Sequence, residues 1–237
     1  MSTPFRFKNA DNTTVDFEDY YVRADYFRSG NLWVWGDAGF GNLGDNTLIY
    51  RSSPVQTIAR GSNWNQVDGA YDGAAGIKTD GTLWCWGRNS YGNLGDNTTT
   101  DRSSPVQTVA FGTNWKQVAC GNRFTAAIKT DGTLWCWGYN AYGQLGDGTI
   151  THRSSPVQTV AYGKNWKQVS CGDRTTVAIK TDGTLWCWGY NYQGQLGLNN
   201  AGGYATSPVQ TIMYGTNWKQ VSCGSRVAAI QYQDDYQ

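Results

Sequence analysis

Both faces of the strand Leu83-Trp84-Cys85-Trp86-Gly87 carry apolar side chains. Alternation sends Leu83 and Cys85 to one side and Trp84 and Trp86 to the other. A sheet with one wet face would show polar residues at every second position, so both faces of this strand must be covered. The strand returns at 32–36, 134–138 and 185–189, with its first tryptophan at 33, 84, 135 and 186. The step is 51 residues each time, and a fixed period of this length marks a repeat architecture.

Each unit runs in one order. After the L-W-x-W-G strand comes a loop holding Leu-Gly at 43–44, 94–95, 145–146 and 196–197. A Ser-Pro-Val-Gln-Thr segment follows, with proline at 54, 105, 156 and 208, and then Asn-Trp-x-Gln-Val, with tryptophan at 64, 115, 166 and 218. An alanine-rich run ends the unit at Ile77, Ile128, Ile179 and Ile230, and all twelve tryptophans of the chain fall in these slots. The pattern predicts four short strands per unit. Ala74–Lys78 and Thr82–Trp86 flank Asp80-Gly81, a dipeptide suited to the positive φ angles of a tight hairpin, repeated at Asp131-Gly132 and Asp182-Gly183. Gln66-Val67 makes a third strand and Val55–Ala59 a fourth, with Pro54 at its start on an outer edge where an N–H can be spared.

Small four-stranded sheets stacked around an axis, a β-propeller, cover both faces of every blade. An open solenoid would need polar outer faces on its end units, yet the first and last copies keep their tryptophans. A closed ring is the expectation, with residues 1–31 as an N-terminal strand or arm and 32–237 as the propeller. Residues 218–232 supply only two strands of a unit, and Leu32–Gly36 opens the chain's first, so these two fragments make one whole blade. Closure within one chain gives four blades and is the expected form. Two chains exchanging these fragments would give eight.

Charge narrows the partners. The formal net charge is +1, from 19 basic and 18 acidic side chains without a run of either sign, so the basic stripe of a nucleic-acid or anionic-membrane surface is missing. The start, Met1 to Lys8, lacks the apolar core of a signal peptide, and no stretch approaches the roughly 18 apolar residues of a membrane span. A soluble protein, in the cytoplasm or in a virion, is expected. Six cysteines suggest disulfides or metal, but Cys85, Cys136 and Cys187 share a slot with Val34, and Cys120, Cys171 and Cys223 share one with Gly69. Residues that alternate with Val and Gly are small packing residues. His152 is the single histidine and no C-x-x-C occurs, so neither zinc nor any other cofactor is expected.

The third copy, Leu134-Trp135-Cys136-Trp137-Gly138-Tyr139-Asn140-Ala141-Tyr142-Gly143-Gln144-Leu145-Gly146, is followed by Ser155-Pro156, Val169-Ser170-Cys171-Gly172 and Thr181-Asp182-Gly183-Thr184. It resembles the regulator of chromosome condensation repeat, whose signature is a W-G-x-N-x-x-G-Q-L-G loop, a proline, V-x-C-G and an aliphatic strand ending in D-G. The resemblance covers about residues 32–232. It implies a propeller; founding members have seven blades, bind nucleosomes and promote exchange on a Ran-type GTPase through an inserted β-wedge. Here the first three units hold their step without insertion, and the place of a frequent family histidine is Phe124, Thr175 or Val227. GTPase exchange is therefore disfavoured. The head Phe5-Arg6-Phe7-Lys8-Asn9-Ala10, ahead of near-identical repeats, resembles virion-associated proteins of tailed phages, notably those of marine cyanobacteria.

No catalytic set emerges. His152 has Tyr50 and Asp101 as counterparts, Asp45, Asp96 and Asp147 are matched by Leu198, and Asp80, Asp131 and Asp182 are turn residues. Variation between copies concentrates in three loops. One holds Tyr139, Tyr142, Tyr190 and Tyr192 among Asn, Gly and Ser, the composition binding loops favour. Another places Arg123, Arg174 and Arg226 in equivalent positions, a basic collar for a partner's carboxylates. The expected function is non-enzymatic protein–protein assembly, as a structural or receptor-binding part of a tailed phage particle that meets virion components or a host receptor. A carbohydrate-binding module using the tyrosine loops is the alternative.

Overall fold

The computed structural model describes residues 6–8, 14–16, 30–58, 63–110, 112–160, 163–213 and 215–232, the first two segments by their backbone. The strands are β1 (Arg6–Lys8), β2 (Thr14–Asp16), β3 (Trp33–Gly36), β4 (Arg51–Gln56), β5 (Trp64–Ala70), β6 (Gly73–Lys78), β7 (Leu83–Gly87), β8 (Arg102–Gln107), β9 (Trp115–Gly121), β10 (Phe124–Lys129), β11 (Leu134–Gly138), β12 (Arg153–Gln158), β13 (Trp166–Cys171), β14 (Thr175–Lys180), β15 (Leu185–Tyr190), β16 (Tyr204–Gln210), β17 (Trp218–Cys223) and β18 (Val227–Gln231). No helix occurs among the described residues. Three complete antiparallel blades follow chain order, β5 to β8, β9 to β12 and β13 to β16. Their first strands, β5, β9 and β13, lie side by side with β17 of the two-stranded sheet β17–β18 and form the inner wall. The hairpin β1–β2 is a separate sheet. The remaining expectations for residues 1–29 lie outside the described residues.

The two fragments expected to join stand apart. β3 pairs with β4 and β17 pairs with β18, as two separate two-stranded sheets. Closure within one chain, the expected form, is absent among the described residues. The stack of three blades and two half-blades is an open arc, and it leaves Trp33 51% and Trp35 61% exposed. The outermost strand also differs from the expectation: β4, β8 and β12 begin at the arginine three residues before the proline, so proline sits inside the strand. An edge strand pairs on one side only and can spare that N–H, and the pairing register shifts near the glycine that ends each L-W-x-W-G strand.

The tryptophans lock blade to blade. Trp86, Trp137 and Trp188 are fully buried. Each indole N–H donates to a main-chain carbonyl of the preceding unit, at Asn42 (3.0 Å), Asn93 (2.9 Å) and Gln144 (2.9 Å). The ring lies on the glycine of the preceding Leu-Gly pair. A Cβ built on Gly44, Gly95 or Gly146 would stand 2.9, 2.8 or 2.7 Å from it, and all three glycines hold positive φ. On the inner wall the amide of Gln66 grips the next blade, donating to the Val118 carbonyl (3.1 Å) and accepting from its N–H (3.0 Å). Gln117 repeats the pair on Val169, and Gln168 on Val221.

Gly95→Ala combines a left-handed backbone with a methyl forced against Trp137. It is expected to lower stability by about 2–5 kcal/mol, read as a fall in the urea midpoint.

Candidate site on the tyrosine–arginine rim

Each rim loop leaves its strand at a glycine with positive φ, Gly87, Gly138 or Gly189, and is then organised by one buried asparagine. Asn140 is fully buried. Its amide donates to Asp147 Oδ1 (3.1 Å) and to the carbonyls of Thr149 (3.0 Å) and Thr151 (3.1 Å), while its carbonyl oxygen accepts from Leu145 N–H (2.9 Å). Asn89 makes the same set, and Asn191 keeps the bond to Leu196 N–H. Asp147 holds Thr149 (2.7 Å) and Arg153 (2.9 Å), as Asp96 holds Thr98 and Arg102. Where Leu198 replaces this aspartate, the arginine's position opposite the strand-end glycine is Ala205. These carboxylates are structural, which agrees with a turn role. Burial pushes the Asp147 carboxyl up, but hydrogen bonds from Thr149 and Arg153 outweigh it and hold it below its ordinary value.

With the loops held, their aromatic side chains meet across blade boundaries. Tyr91 meets Tyr139 edge-on at 4.8 Å, Tyr142 meets Tyr190 at 5.1 Å, and Tyr190 lies 5.1 Å from Tyr192. Tyr139 stacks on His152 at 4.9 Å. The arginines thread this row. Arg174 lies over Tyr142 (5.1 Å) and Tyr190 (5.6 Å), and Arg123 over Tyr91 (5.6 Å). Arg123 also pairs with buried Asp72 (3.0 Å), and its raised pKa follows from that bond. The row extends through Arg88, which sits over Phe40 at 4.5 Å and 3.6 Å from Asp72. Beside Arg174 and Tyr190 opens a cleft of about 290 Å³ edged by Asp173, Gln193 and Gln195.

The tyrosines and arginines read separately from the sequence are thus one band, which gathers Tyr139, Tyr142, Tyr190, Tyr192, Arg123 and Arg174. Arg226 stands outside it. The tyrosine slot it would cover holds Gln193, and Arg226 is exposed at the rim of another cavity. Tyr91, from the same loop set as Tyr142, and His152, set aside as a base, also belong to the band. His152 is a brace: its Nδ1 accepts from Asn140 N–H (2.9 Å), as the Asp101 carboxylate accepts from Asn89 N–H (2.7 Å). Burial holds its pKa below the ordinary value, which keeps that nitrogen free to accept. The six cysteines are free thiols; burial raises the pKa of Cys85, Cys136 and Cys187, and pushes Cys223 up to about 12. No cluster of metal-ligating side chains occurs among the described residues.

A carboxylate with a lowered folded-state pKa contributes stability above its unfolded value of 3.8, and that contribution is lost as pH falls through the folded value. Urea midpoints are therefore expected to drop on acidification below about pH 4, and Asp147→Asn to flatten that drop. Asn140→Ala leaves several buried groups unpartnered and is expected to cost about 1–3 kcal/mol, measured by the same unfolding.

The family model described as regulator of chromosome condensation (RCC1) repeat matches residues 80–128, 131–179 and 182–230, and a second RCC1 repeat model matches 115–144 and 166–195. The chain is 35% identical over 205 residues to the ultraviolet-B receptor UVR8 of Arabidopsis thaliana, covering 83% of this chain and 46% of the relative. It is 27% identical over 204 residues to the human E3 ubiquitin-protein ligase HERC2, covering 83% of this chain and 4% of the relative. Among solved structures, human WBSCR16 superposes with a TM-score of 0.74 at 24% identity, over 86% of this chain and 54% of that one. Prp20p of Saccharomyces cerevisiae gives 0.73 at 18% identity, over 87% and 53%. The chain thus spans half or less of the length of the curated relatives named here. Three successive repeats are matched, each running from the last two strands of one blade into the first two strands of the next sheet, and the chain belongs to the regulator of chromosome condensation (RCC1) repeat family.

Proposed function

We propose that this chain is a non-enzymatic protein-binding propeller segment whose tyrosine–arginine rim receives acidic and aromatic side chains of a partner. The observation that carries the reading is the continuous row from Phe40 to Tyr192, with Arg174 laid over two tyrosines beside an open polar cleft. Tyrosine and arginine are the side chains that dominate binding energy at protein interfaces, and a rim fixed by buried asparagines binds with little ordering cost. The structure of Prp20p was reported with its binding properties to Gsp1p and histones, and yeast RCC1 was solved with Kap60 bound to it. Proteins as partners fit that company. The guanidinium of Arg174 lies on the tyrosine faces that a sugar ring would need, which weighs against the carbohydrate alternative.

The finer setting, a component of a tailed phage particle in contact with virion proteins or a host receptor, rests on the head residues Phe5 to Ala10 and on the similarity of the repeats. The relatives named above come from a plant, a human and a yeast and lend that setting nothing.

Peptide and glycan arrays probed with the full chain test the reading. Binding is expected to peptides pairing Asp or Glu with an aromatic residue, weakened roughly tenfold or more by Arg174→Ala or Tyr142→Ala. Glycan binding without peptide binding, or peptide binding indifferent to both substitutions, would contradict it.

A further inference from the structure

The last complete blade holds a vacant seat, and the chain's first strand carries the side chain that fits it. Next to β15 and β17 lies a cavity of about 600 Å³, lined among others by Leu185, Cys187, Gly194, Gly197, Trp218 and Val227. In its lining, Leu185, Cys187, Leu196 and Trp218 are the counterparts of the residues that pack with Trp137 and Trp188 in the occupied seats. Gly44, Gly95 and Gly146 each press against an indole, while Gly197, with the same positive φ, meets only Thr211 at 3.8 Å. Gly41, Gly92 and Gly143 are closed over by the backbones of Ser103, Ser154 and Thr206, while Gly194 has nothing nearer than the Asn200 carbonyl at 3.6 Å.

The unseated groups lie at the other end of the arc. Trp35 is the counterpart of fully buried Trp86, Trp137 and Trp188 yet is 61% exposed. Its missing acceptor, by the same spacing, is the Gln195 carbonyl at the cavity wall, and Ser52 is the counterpart of the residue that closes over Gly194. The opposite face of β3 is already packed, through Leu32 against Trp64 and Trp86. On the inner wall, Val67 is 48% exposed where Val118, Val169 and Val221 are nearly wholly buried. The glutamine that would grip it is Gln220, the counterpart of Gln66, Gln117 and Gln168. Ile230 on β18 is 54% exposed where Ile77, Ile128 and Ile179 are buried.

We propose that the occupant of this seat is a second copy of the chain. Two copies join head to tail about a two-fold axis, each junction blade taking β17–β18 from one copy and β3–β4 from the other. The pairing of β14 with β15 sets the register of the new ladder: Ile230 opposite Leu32, Ala229 opposite Trp33, Ala228 opposite Val34 and Val227 opposite Trp35. A second copy is chosen over the chain's own β3 because the two edges are apart in one chain, and because the arc superposes on only about half of each larger RCC1-type structure. Its curvature is that of a ring built from about two such arcs. Two copies contribute six whole and two composite blades, within the range of known propellers. A head-to-tail contact that closes in this way forms a ring instead of a filament. This inference does not depend on what the rim binds.

Light scattering on the full chain is expected to give twice the chain mass of 26.2 kDa, and Trp35→Ala to return it to one chain. Since Trp35 is exposed in the single chain, its loss leaves the arc folded, which circular dichroism checks. The double variant Val34→Cys with Ala228→Cys is expected to form a disulfide-linked species of doubled mass on non-reducing gels, with neither single variant doing so. A wild-type monomer, a mass beyond two copies, a dimer unmoved by Trp35→Ala, or a disulfide between the two introduced thiols that leaves the mass unchanged would each overturn the proposal.

Discussion

The structure depends on an indole seated in its neighbour. Trp86, Trp137 and Trp188 each leave their own blade and end beneath the Leu-Gly turn of the preceding unit. Covering a tryptophan removes roughly 150–250 Å² from water, worth about 4–6 kcal/mol at about 25 cal/mol per Å² as an upper bound. The indole hydrogen bond adds about 1 kcal/mol net. Burial therefore supplies the energy and the hydrogen bond supplies the aim. Because the seat belongs to one unit and the side chain to the next, no unit buries its own apolar surface, and stacking is the condition of folding. The same dependence leaves a seat empty at one end of the arc and a tryptophan unseated at the other.

The architecture was legible in the sequence because its causes are local and periodic. Strands apolar on both faces require cover on both faces, and Asp-Gly at a fixed offset builds the hairpin, with Gly81, Gly132 and Gly183 at positive φ. What stayed hidden were polar contacts to distant partners. Gln66 reads as an ordinary strand residue, yet its amide binds a backbone 52 residues ahead. Its recurrence at 117, 168 and 220 was the available signal. Asn140 likewise sits in the repeat signature without announcing that it satisfies four groups of its own loop. Pro54 marked an outer edge, but the strand's start at Arg51 is set by pairing across to Gly36, which composition does not display.

The candidate site follows the same division. That tyrosines and arginines gather in variable loops is a matter of composition and is visible in the sequence. That the two sets form one band depends on the rotation between blades, which sets Arg174 over a tyrosine of the preceding blade as well as one of its own. Arg226 fails to join because the preceding blade supplies Gln193 in the tyrosine's place. The aspartates nearby hold loops, and burial raises the pKa of the thiols of Cys85, Cys136, Cys171 and Cys187. The surface this leaves at the rim is one of aromatic rings and guanidinium groups.

The seated indole is tested most directly by hydrogen exchange of the tryptophan side-chain N–H groups, followed by NMR on the isotope-labelled full chain. The indole protons of Trp86, Trp137 and Trp188 are expected among the slowest to exchange, released only when blades separate. Exchange of those three at the rate of a freely exposed indole would contradict blade-to-blade seating and the fold built on it.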